Sequence, residues 1–414
     1  MRVLLQLALR NLQRNPRRTA LTVAATVFAV GLTVLFEALA AGSHRHWIED
    51  VVRLYPGHVE VMAEGYRENR TLEYGLELEP AQAEALDRVS GILGWAPRVE
   101  AWALAMPDED EALGRAGWLV GVDPERERGL SRIVGAIREG RFLNGTPRNS
   151  VVLGARLARR MGVGVGDRVI LLSTDYYRSQ AAERFVVVGT VEVGEPVFDS
   201  SLVMGRLDEI QRFLELGNRI SHVALFADPS RDVDELRREV AGLFDSGGQE
   251  VVGWRELRPD LDQFIRLDDV GNRFSLAILI LVAGFGVLNT VLMSVFERVR
   301  EFGVMRAIGA RPRTLFAMVM LESGMLAAVG VVFGISIAVP LVLFLEGNPI
   351  PISGEYLQMY ELFGLDPVIA FALESKNLYG TPLVMLGVAV VAGLPAAIRA
   401  SRGHPVDVMR APTT

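Results

Sequence analysis

The chain has 414 residues, of which 50% are hydrophobic and 22% are charged, and its formal net charge is −7. So many apolar residues beside so much charge indicate that the two kinds are segregated into separate parts of the chain. The acidic balance disfavours a nucleic-acid partner. The absence of cysteine excludes disulfides and thiolate zinc sites.

The N-terminal region predicts a helix on the membrane surface followed by a first membrane span. Residues 1–18 carry five arginines, no acidic residue and leucines at helical spacing, which is typical of an amphipathic helix on the cytoplasmic face. Residues 19–42 then supply about 20 apolar or small residues, enough to cross the hydrocarbon core. A cleaved signal peptide is the alternative, because Ala38–Ala40 fits a cleavage site. The basic segment and the apolar run are both too long for a signal peptide, and the acidic Glu37 lies just before the site.

Residues 43–272 are polar and contain no apolar run long enough to cross a membrane. Strand and helix patterns alternate, which predicts a large α+β domain arranged as two subdomains. The predicted strands are His58–Met62, Trp118–Val122, Arg168–Leu172, Arg184–Val188 and His222–Phe226. The predicted helices are Pro80–Val89, Ala155–Met161, Leu207–Leu216 and Val233–Phe244. Gly162, Gly164 and Gly166 lead into a strand, so they are interpreted as a tight turn rather than a phosphate-binding loop.

Three more apolar segments follow, and the loops between them alternate in charge. The predicted spans are residues 273–296, 314–345 and 378–398, joined by loops 297–313 and 346–377 and followed by a tail, 399–414. The first loop and the tail are rich in arginine, whereas the second loop carries five acidic residues against one lysine. Because positive charge collects on the cytoplasmic side, the first loop and both termini are assigned to the cytoplasm. The fold class is therefore an α-helical membrane protein with four transmembrane helices, one before and three after an extracytoplasmic α+β domain.

The loop between the second and third spans has the features of a short exposed helix. It contains five arginines against two glutamates, and Phe302, Met305 and Ile308 recur at three-residue spacing. Gly309 is placed to end this helix in a left-handed cap, and Pro312 to begin the next helix. A solvated turn would explain the charges, the glycine and the proline, but not the apolar stripe. We therefore predict a helix that docks on a cytosolic partner.

The chain lacks the sequence motifs of common ATPases and hydrolases. A P-loop is excluded because its lysine must precede serine or threonine, and the only lysine, Lys376, precedes Asn377. No nucleophile elbow or zinc-protease motif occurs either. Glu322 lies inside the third span, where an ionisable residue is a candidate functional group. A structural ion pair with Arg306 or Arg313 is the favoured interpretation, and a proton or substrate relay is the alternative.

Three passages resemble one family of membrane proteins. The run Glu301–Ala310, EFGVMRAIGA, resembles the E-x-G-(I/V)-x-x-A-x-G-A signature that follows the second span in permeases of the FtsX, MacB and LolC type. Residues 150–167 resemble part of their extracytoplasmic domain, and residues 404–410 resemble their D-P-V-E-A-L-R ending. The resemblance implies that the loop forms a coupling helix that sits in a groove of an ATPase. The residues assigned to this contact are Glu301, Phe302, Gly303, Met305, Arg306, Ala307, Ile308 and Gly309.

The resemblance also implies a non-catalytic permease subunit of an ATP-binding cassette transporter in the bacterial inner membrane. Residues 43–272 would be periplasmic, as a MacB-like core domain. Two copies of a cytoplasmic ATPase would bind ATP and magnesium, and the permease would pair with a second copy, identical or homologous. The chain looks closer to LolC and LolE, which implies lipoprotein release; MacB-like efflux of drugs or peptides and FtsX-like signalling to periplasmic enzymes are the alternatives. Membrane lipids and a periplasmic chaperone are further candidate partners, although residues 173–182 lack the proline of the LolC chaperone hook.

Overall fold

The computed structural model describes residues 16–109, 114–229, 231–244, 247–354, 357, 360 and 366–402. Residues 1–15 of the predicted surface helix and residues 403–414 of the predicted tail lie outside this part of the chain. The structure divides into two compact units. The domain unit contains residues 47–263 and 352–367, and the membrane unit contains the remaining residues.

The helices and strands follow the order predicted from the sequence. The described α-helices are α1 Pro16–Leu54, α2 Pro80–Asp87, α3 Pro124–Glu127, α4 Ala155–Met161, α5 Pro196–Ser201, α6 Leu207–Phe213, α7 Val233–Leu243, α8 Trp254–Leu257, α9 Pro259–Glu297, α10 Val299–Ala307, α11 Pro312–Gly347 and α12 Ser375–Arg402. The described strands are β1 Val59–Ala63, β2 Leu76–Glu77, β3 Ile92–Pro107, β4 Arg115–Val122, β5 Ile137–Gly140, β6 Ser150–Gly154, β7 Arg168–Thr174, β8 Gln180–Val191, β9 Leu202–Arg206, β10 Arg219–Ile220, β11 His222–Ala227, β12 Gln249–Gly253, β13 Ile350–Pro351 and β14 Val368–Ile369. Each strand and helix predicted within residues 43–272 is present, with its bounds shifted by a few residues.

Six strands of the domain unit pair in a closed ring, in the order β3, β4, β9, β6, β8, β7 and back to β3. β3 is 16 residues long, and its first part, residues 92–98, extends beyond the ring to pair with β11. β11, β1 and β12 continue from there as an antiparallel sheet. β3 belongs to both the ring and the sheet, and it therefore joins the two within the domain unit.

The central strands of the ring are apolar on both faces. Val151 and Leu153 of β6 belong to the larger core, which also receives side chains from α4, α6 and α7. Val152, between them, belongs to a second core on the other face of the strand, together with Phe198 of α5 and Leu143. Successive side chains of a strand point to opposite faces, so a strand covered on both sides reads as a continuous apolar run.

The membrane unit contains the predicted arrangement of one helix followed by three. Among the described residues, four helical segments are long and apolar enough to span a membrane: Thr19–Leu54, Pro259–Glu297, Pro312–Gly347 and Pro382–Ser401. Within this unit α1 and α11 approach closely at two glycines. A Cβ atom built at Gly330 would lie 2.5 Å from Cβ of Thr26, and one at Gly334 would lie 2.8 Å from Cβ of Val30. Small residues of this kind allow helix backbones to approach within a membrane.

Candidate functional site: the helix between the second and third spans

The nine-residue helix α10 ends in a Schellman motif. The Ala310 N–H donates to the Met305 carbonyl at 2.9 Å, and the Gly309 N–H donates to the Arg306 carbonyl at 3.0 Å. Gly309 has φ +101°, in the left-handed region that favours glycine. Pro312 is the first residue of α11. The predicted glycine stop and proline start are therefore confirmed.

The apolar residues of α10 do not form the single exposed stripe expected from the sequence. Phe302 is 4% exposed, Gly303 is buried and Met305 is half-buried. Phe302 packs into an apolar cluster that three spanning helices supply. Its buried members are Val291 and Val295 of α9, Leu315, Met318 and Val319 of α11, and Ala396, Ala397 and Ala400 of α12. The expectation that Phe302 forms part of an exposed tip is wrong, because its ring removes more apolar surface from water by turning toward these helices.

The outward side of α10 carries a different set of apolar residues. Val304, Ala307 and Ile308 are exposed, and their spacing of three and four residues places them on one side of the helix. Ile308 is 82% exposed and Val304 is 47% exposed. Arg300 and Arg311 are exposed as well. We call Val304, Ala307 and Ile308 the exposed face of α10.

Arg298, between α9 and α10, connects the loop helix to the intramembrane carboxylate Glu322 of α11. Its Nη1 donates to Glu322 Oε2 at 3.1 Å, and its Nε donates to Glu301 Oε2 at 2.9 Å. The guanidinium also lies over the Phe302 ring, 5.6 Å from the ring centroid. Glu322 therefore takes part in an ion pair, as the sequence suggested, but its partner is a residue that the sequence did not suggest.

The two arginines predicted to pair with Glu322 lie elsewhere. Arg306 donates through Nη1 to the backbone oxygen of Ser401 in α12, at 3.1 Å. Arg313 is exposed near the beginning of α11. The helix α10 is thus joined to α11 near its first turn and to α12 near its last turn.

A group of buried charges inside the domain unit was missed by sequence reasoning. Arg98 of β3 is 0% exposed, and its Nε and Nη2 donate to the two carboxylate oxygens of Glu127 at 2.6 and 3.0 Å. Its Nη1 donates to the Tyr55 carbonyl, and its guanidinium lies 4.2 Å from the Tyr55 ring centroid. The sequence did contain a signal for this group. Arg98 and Glu100 lie two residues apart, so both charged side chains are on the same face of β3.

Glu100 holds the next part of this buried group. Its carboxylate accepts hydrogen bonds from the hydroxyls of Tyr55 and Tyr66 at 2.9 and 3.1 Å, and from Arg70 at 3.3 Å. Burial is the main cause that raises the pKa of both tyrosines, and the nearby Glu100 charge raises each further. Both phenols therefore remain protonated donors to this carboxylate at neutral pH.

Glu60 and His222 lie beside Glu100 and are almost fully buried. Burial, followed by the Glu100 charge, raises the pKa of Glu60 to about 8, and burial lowers the pKa of His222 to about 4. Both groups are therefore mainly neutral at pH 7. Among the described residues, neither ring nitrogen of His222 has a hydrogen-bond partner.

An apolar cavity of about 280 Å³ lies among three spanning helices of the membrane unit. Its lining residues are Ala25, Thr26, Phe28, Ala29 and Leu32 of α1, Leu279, Val282, Ala283, Gly284, Gly286 and Val287 of α9, and Met385, Val388 and Ala389 of α12. Thr26 supplies the only polar side chain among these lining residues, and its hydroxyl donates to the Thr22 carbonyl at 3.0 Å. The cavity therefore suits an apolar occupant.

Comparison with known proteins decides the family. The model of the MacB-like periplasmic core domain matches residues 19–243, more than half of the chain. The chain belongs to the FtsX/MacB/LolC family of ABC transporter permeases. The model of the FtsX-like permease C-terminal region matches residues 273–405, which include α10. This permease is therefore a multi-pass inner-membrane protein whose α+β domain is periplasmic.

Similar proteins align with the permease along nearly its whole length. The lipoprotein-releasing system transmembrane protein LolC of Xylella fastidiosa is 23% identical over 395 residues, which cover 92% of this chain and 91% of LolC. The corresponding LolE of Haemophilus influenzae is 24% identical over 417 residues, covering 97% and 96%. The macrolide export ATP-binding/permease protein MacB of Nitrobacter winogradskyi is 26% identical over 411 residues, covering 95% of this chain and 58% of MacB.

Proposed function

We propose that this permease couples ATP hydrolysis by a separate cytoplasmic ATPase to movement of its periplasmic domain, and that it releases lipoproteins from the inner membrane. The exposed face of α10 is the observation that carries the coupling role. With the domain periplasmic and each span crossing once, the α10 loop and both termini are cytoplasmic. The arginines of the loop agree with this orientation.

The exposed face has the chemistry of a docking site for a protein. Val304 and Ile308 keep apolar side chains in water, and burying each fully would contribute about 1.5–3 kcal/mol. Arg300 and Arg311 flank them and suit an acidic rim on the partner. In the proposed assembly two ATPase subunits bind ATP and magnesium, and a second permease copy, identical or homologous, supplies the second coupling helix.

The lipoprotein substrate is supported by two observations. Relatives that align over more than nine-tenths of this chain are named lipoprotein-releasing proteins. The apolar cavity among α1, α9 and α12 would offer an acyl chain a place beside the first two spans. Export of a macrolide or similar drug is the second candidate, because MacB also aligns with 95% of this chain.

The coupling role is tested by placing a charge on the exposed face. Ile308→Asp should leave the permease inserted, because the side chain is 82% exposed, and should release the ATPase during purification. We expect affinity to fall about ten- to a hundredfold, in line with the burial of one apolar side chain. Val197→Asp, at a site 69% exposed in the periplasmic domain, is the matched control. A stoichiometric ATPase retained by Ile308→Asp would reject the proposal.

The substrate is tested in proteoliposomes that contain the permease and its ATPase. A triacylated lipoprotein should stimulate ATP hydrolysis and leave the vesicles in an ATP-dependent manner, whereas the same protein without acyl chains should do neither. Stimulation by a macrolide, without any response to the lipoprotein, would favour the efflux candidate.

A further inference from the structure

Arg298 forms the contact that connects three helices at one end of the membrane unit. It follows the last residue of α9, binds Glu301 in the first turns of α10 and binds Glu322 in α11. The side chains of Arg298 and Glu322 are 14% and 15% exposed. A guanidinium has donors in a fixed fork, so contact with two separate carboxylates constrains the positions of both helices.

The pair with Glu322 differs from an ordinary surface ion pair. Both partners are mostly withdrawn from water, so their attraction is screened less than that of an exposed pair. Glu301 is 37% exposed, and its half of the contact is the weaker one because water screens it. The Arg298–Glu322 contact, which joins the beginning of α10 to α11, is therefore stronger than the Arg298–Glu301 contact, which lies at the beginning of α10 itself.

Packing around this contact is continuous. Phe302, next to the guanidinium, packs among α9, α11 and α12, so the inward side of α10 is in contact with all three helices. The outward side, with Ile308, is free of such packing within the described chain. A force applied to the outward side must therefore move α11 as well, unless the Arg298–Glu322 pair breaks.

We propose that Arg298 is a positioning residue that transmits displacement of α10 to α11 through its ion pair with Glu322. This inference rests on the proposed function, since it needs an ATPase that acts on α10. It assigns Glu322 the role of a mechanical anchor rather than a proton relay. It also separates two roles within the loop. The exposed face binds the ATPase, and Arg298 transmits the movement of α10 to α11.

The experiment compares Arg298→Ala, Glu322→Ala and the double variant in the complete transporter in proteoliposomes. Each should retain a stoichiometric ATPase and basal ATP hydrolysis within about twofold, and lose at least about tenfold of the lipoprotein-stimulated rate. The double variant should be no worse than either single variant, because both changes remove the same contact. Glu322→Gln should keep most of the stimulation, since its amide oxygen can still accept from Arg298. Arg273→Ala, at an exposed arginine of α9 outside the α10 loop, is the matched control.

Four results would overturn the inference. They are a stimulated rate in Arg298→Ala equal to that in Arg273→Ala, additive losses in the double variant, release of the ATPase by Arg298→Ala, and a loss in Glu322→Gln as complete as in Glu322→Ala. If Arg298→Ala does not accumulate in the membrane, the comparison of Glu322→Ala with Glu322→Gln decides between the anchor and the relay. Failure of the proposed function can be distinguished from failure of this inference. If the proposed function is wrong, Ile308→Asp, in which Arg298 is intact, would retain the ATPase.

Discussion

Glu60 and His222 lie diagonally across the antiparallel pair β1–β11, with Glu60 Oε1 3.8 Å from His222 Nε2. Both are buried, and the charged groups around them are Glu100, Arg98 and Arg70. Because burial disfavours the charged form of each, the carboxyl stays protonated and the imidazole stays neutral over most of the physiological range. The periplasmic domain therefore contains two groups whose protonation differs between the folded and unfolded chain.

The first prediction is that the domain loses stability between pH 6.5 and pH 8. The pKa of Glu60 rises from an ordinary 4.5 to about 8, so its contribution is fully present below pH 4.5 and is lost as pH rises through about 8. The pKa of His222 falls from 6.5 to about 4, so its contribution to the free energy of unfolding increases as pH rises from about 4 to 6.5. Over that range the increase from His222 offsets the decrease from Glu60. Above pH 6.5 the Glu60 contribution dominates the change, and the free energy of unfolding should fall by about 1–2 kcal/mol by pH 8.

Tryptophan fluorescence of the full-length permease in detergent measures this loss directly. All five tryptophans, Trp47, Trp95, Trp102, Trp118 and Trp254, lie in the domain unit. Denaturant titrations at pH 6.5 and 8 should differ for the parent protein and should coincide for Glu60→Gln, which cannot ionise. If Glu60→Gln keeps the same difference, another group is responsible.

The second prediction concerns Arg98 and Glu127. Arg98→Leu should lower the free energy of unfolding by about 3–5 kcal/mol, because it leaves the Glu127 carboxylate buried without its partner. The double variant Arg98→Leu with Glu127→Leu should recover much of that loss, since no charge then remains uncompensated. Arg184→Leu, which removes an exposed pair with Asp108, should change unfolding little. A double variant as unstable as Arg98→Leu would mean that the contacts of Arg98 with Tyr55 dominate.

The fold could be predicted from the sequence where one local pattern decides the structure. The run from Phe274 to Phe296 has no charged residue, and it lies within a helix long enough to span the membrane. The position of Gly309 predicts the left-handed cap that the structure shows. The ring of six strands could not be predicted, because it depends on pairings between distant segments. In one of them, β4 pairs parallel with β9, about 80 residues later.

The site was harder to predict because helical spacing does not say which side of a helix is covered. Phe302 and Ile308 belong to the same apolar pattern, yet Phe302 is 4% exposed and Ile308 is 82% exposed. The difference arises from α11 and α12, whose residues follow α10 in the chain and supply most of the cluster that covers Phe302. The partner of Glu322 was missed for a similar reason. Arg298 lies 24 residues before Glu322, and only the packing of α9, α10 and α11 brings the two side chains together.

The third prediction tests the close contact between α1 and α11. Gly330→Ala should destabilise the permease by about 1–3 kcal/mol, because the new Cβ would lie 2.5 Å from Cβ of Thr26 and the helices must separate. Gly324→Ala in the same helix is the control, since a Cβ there would have no neighbouring atom within 4 Å. Thermal unfolding of both variants in detergent measures the effect. Equal unfolding temperatures would show that α1 can move aside without cost.

The last prediction concerns topology, and the absence of natural cysteine makes it direct to test. Tyr177→Cys should react with a membrane-impermeant maleimide in cells whose outer membrane has been permeabilised, because Tyr177 is 70% exposed in the periplasmic domain. Arg311→Cys, at an exposed position between α10 and α11, should react only after the inner membrane is disrupted. Ser173 is less suitable for labelling, since it is 9% exposed and its hydroxyl donates to the Trp102 carbonyl at 2.8 Å. Labelling of Arg311→Cys in intact spheroplasts would place α10 outside the cytoplasm, where no ATPase could reach it, and the coupling role would have to be abandoned.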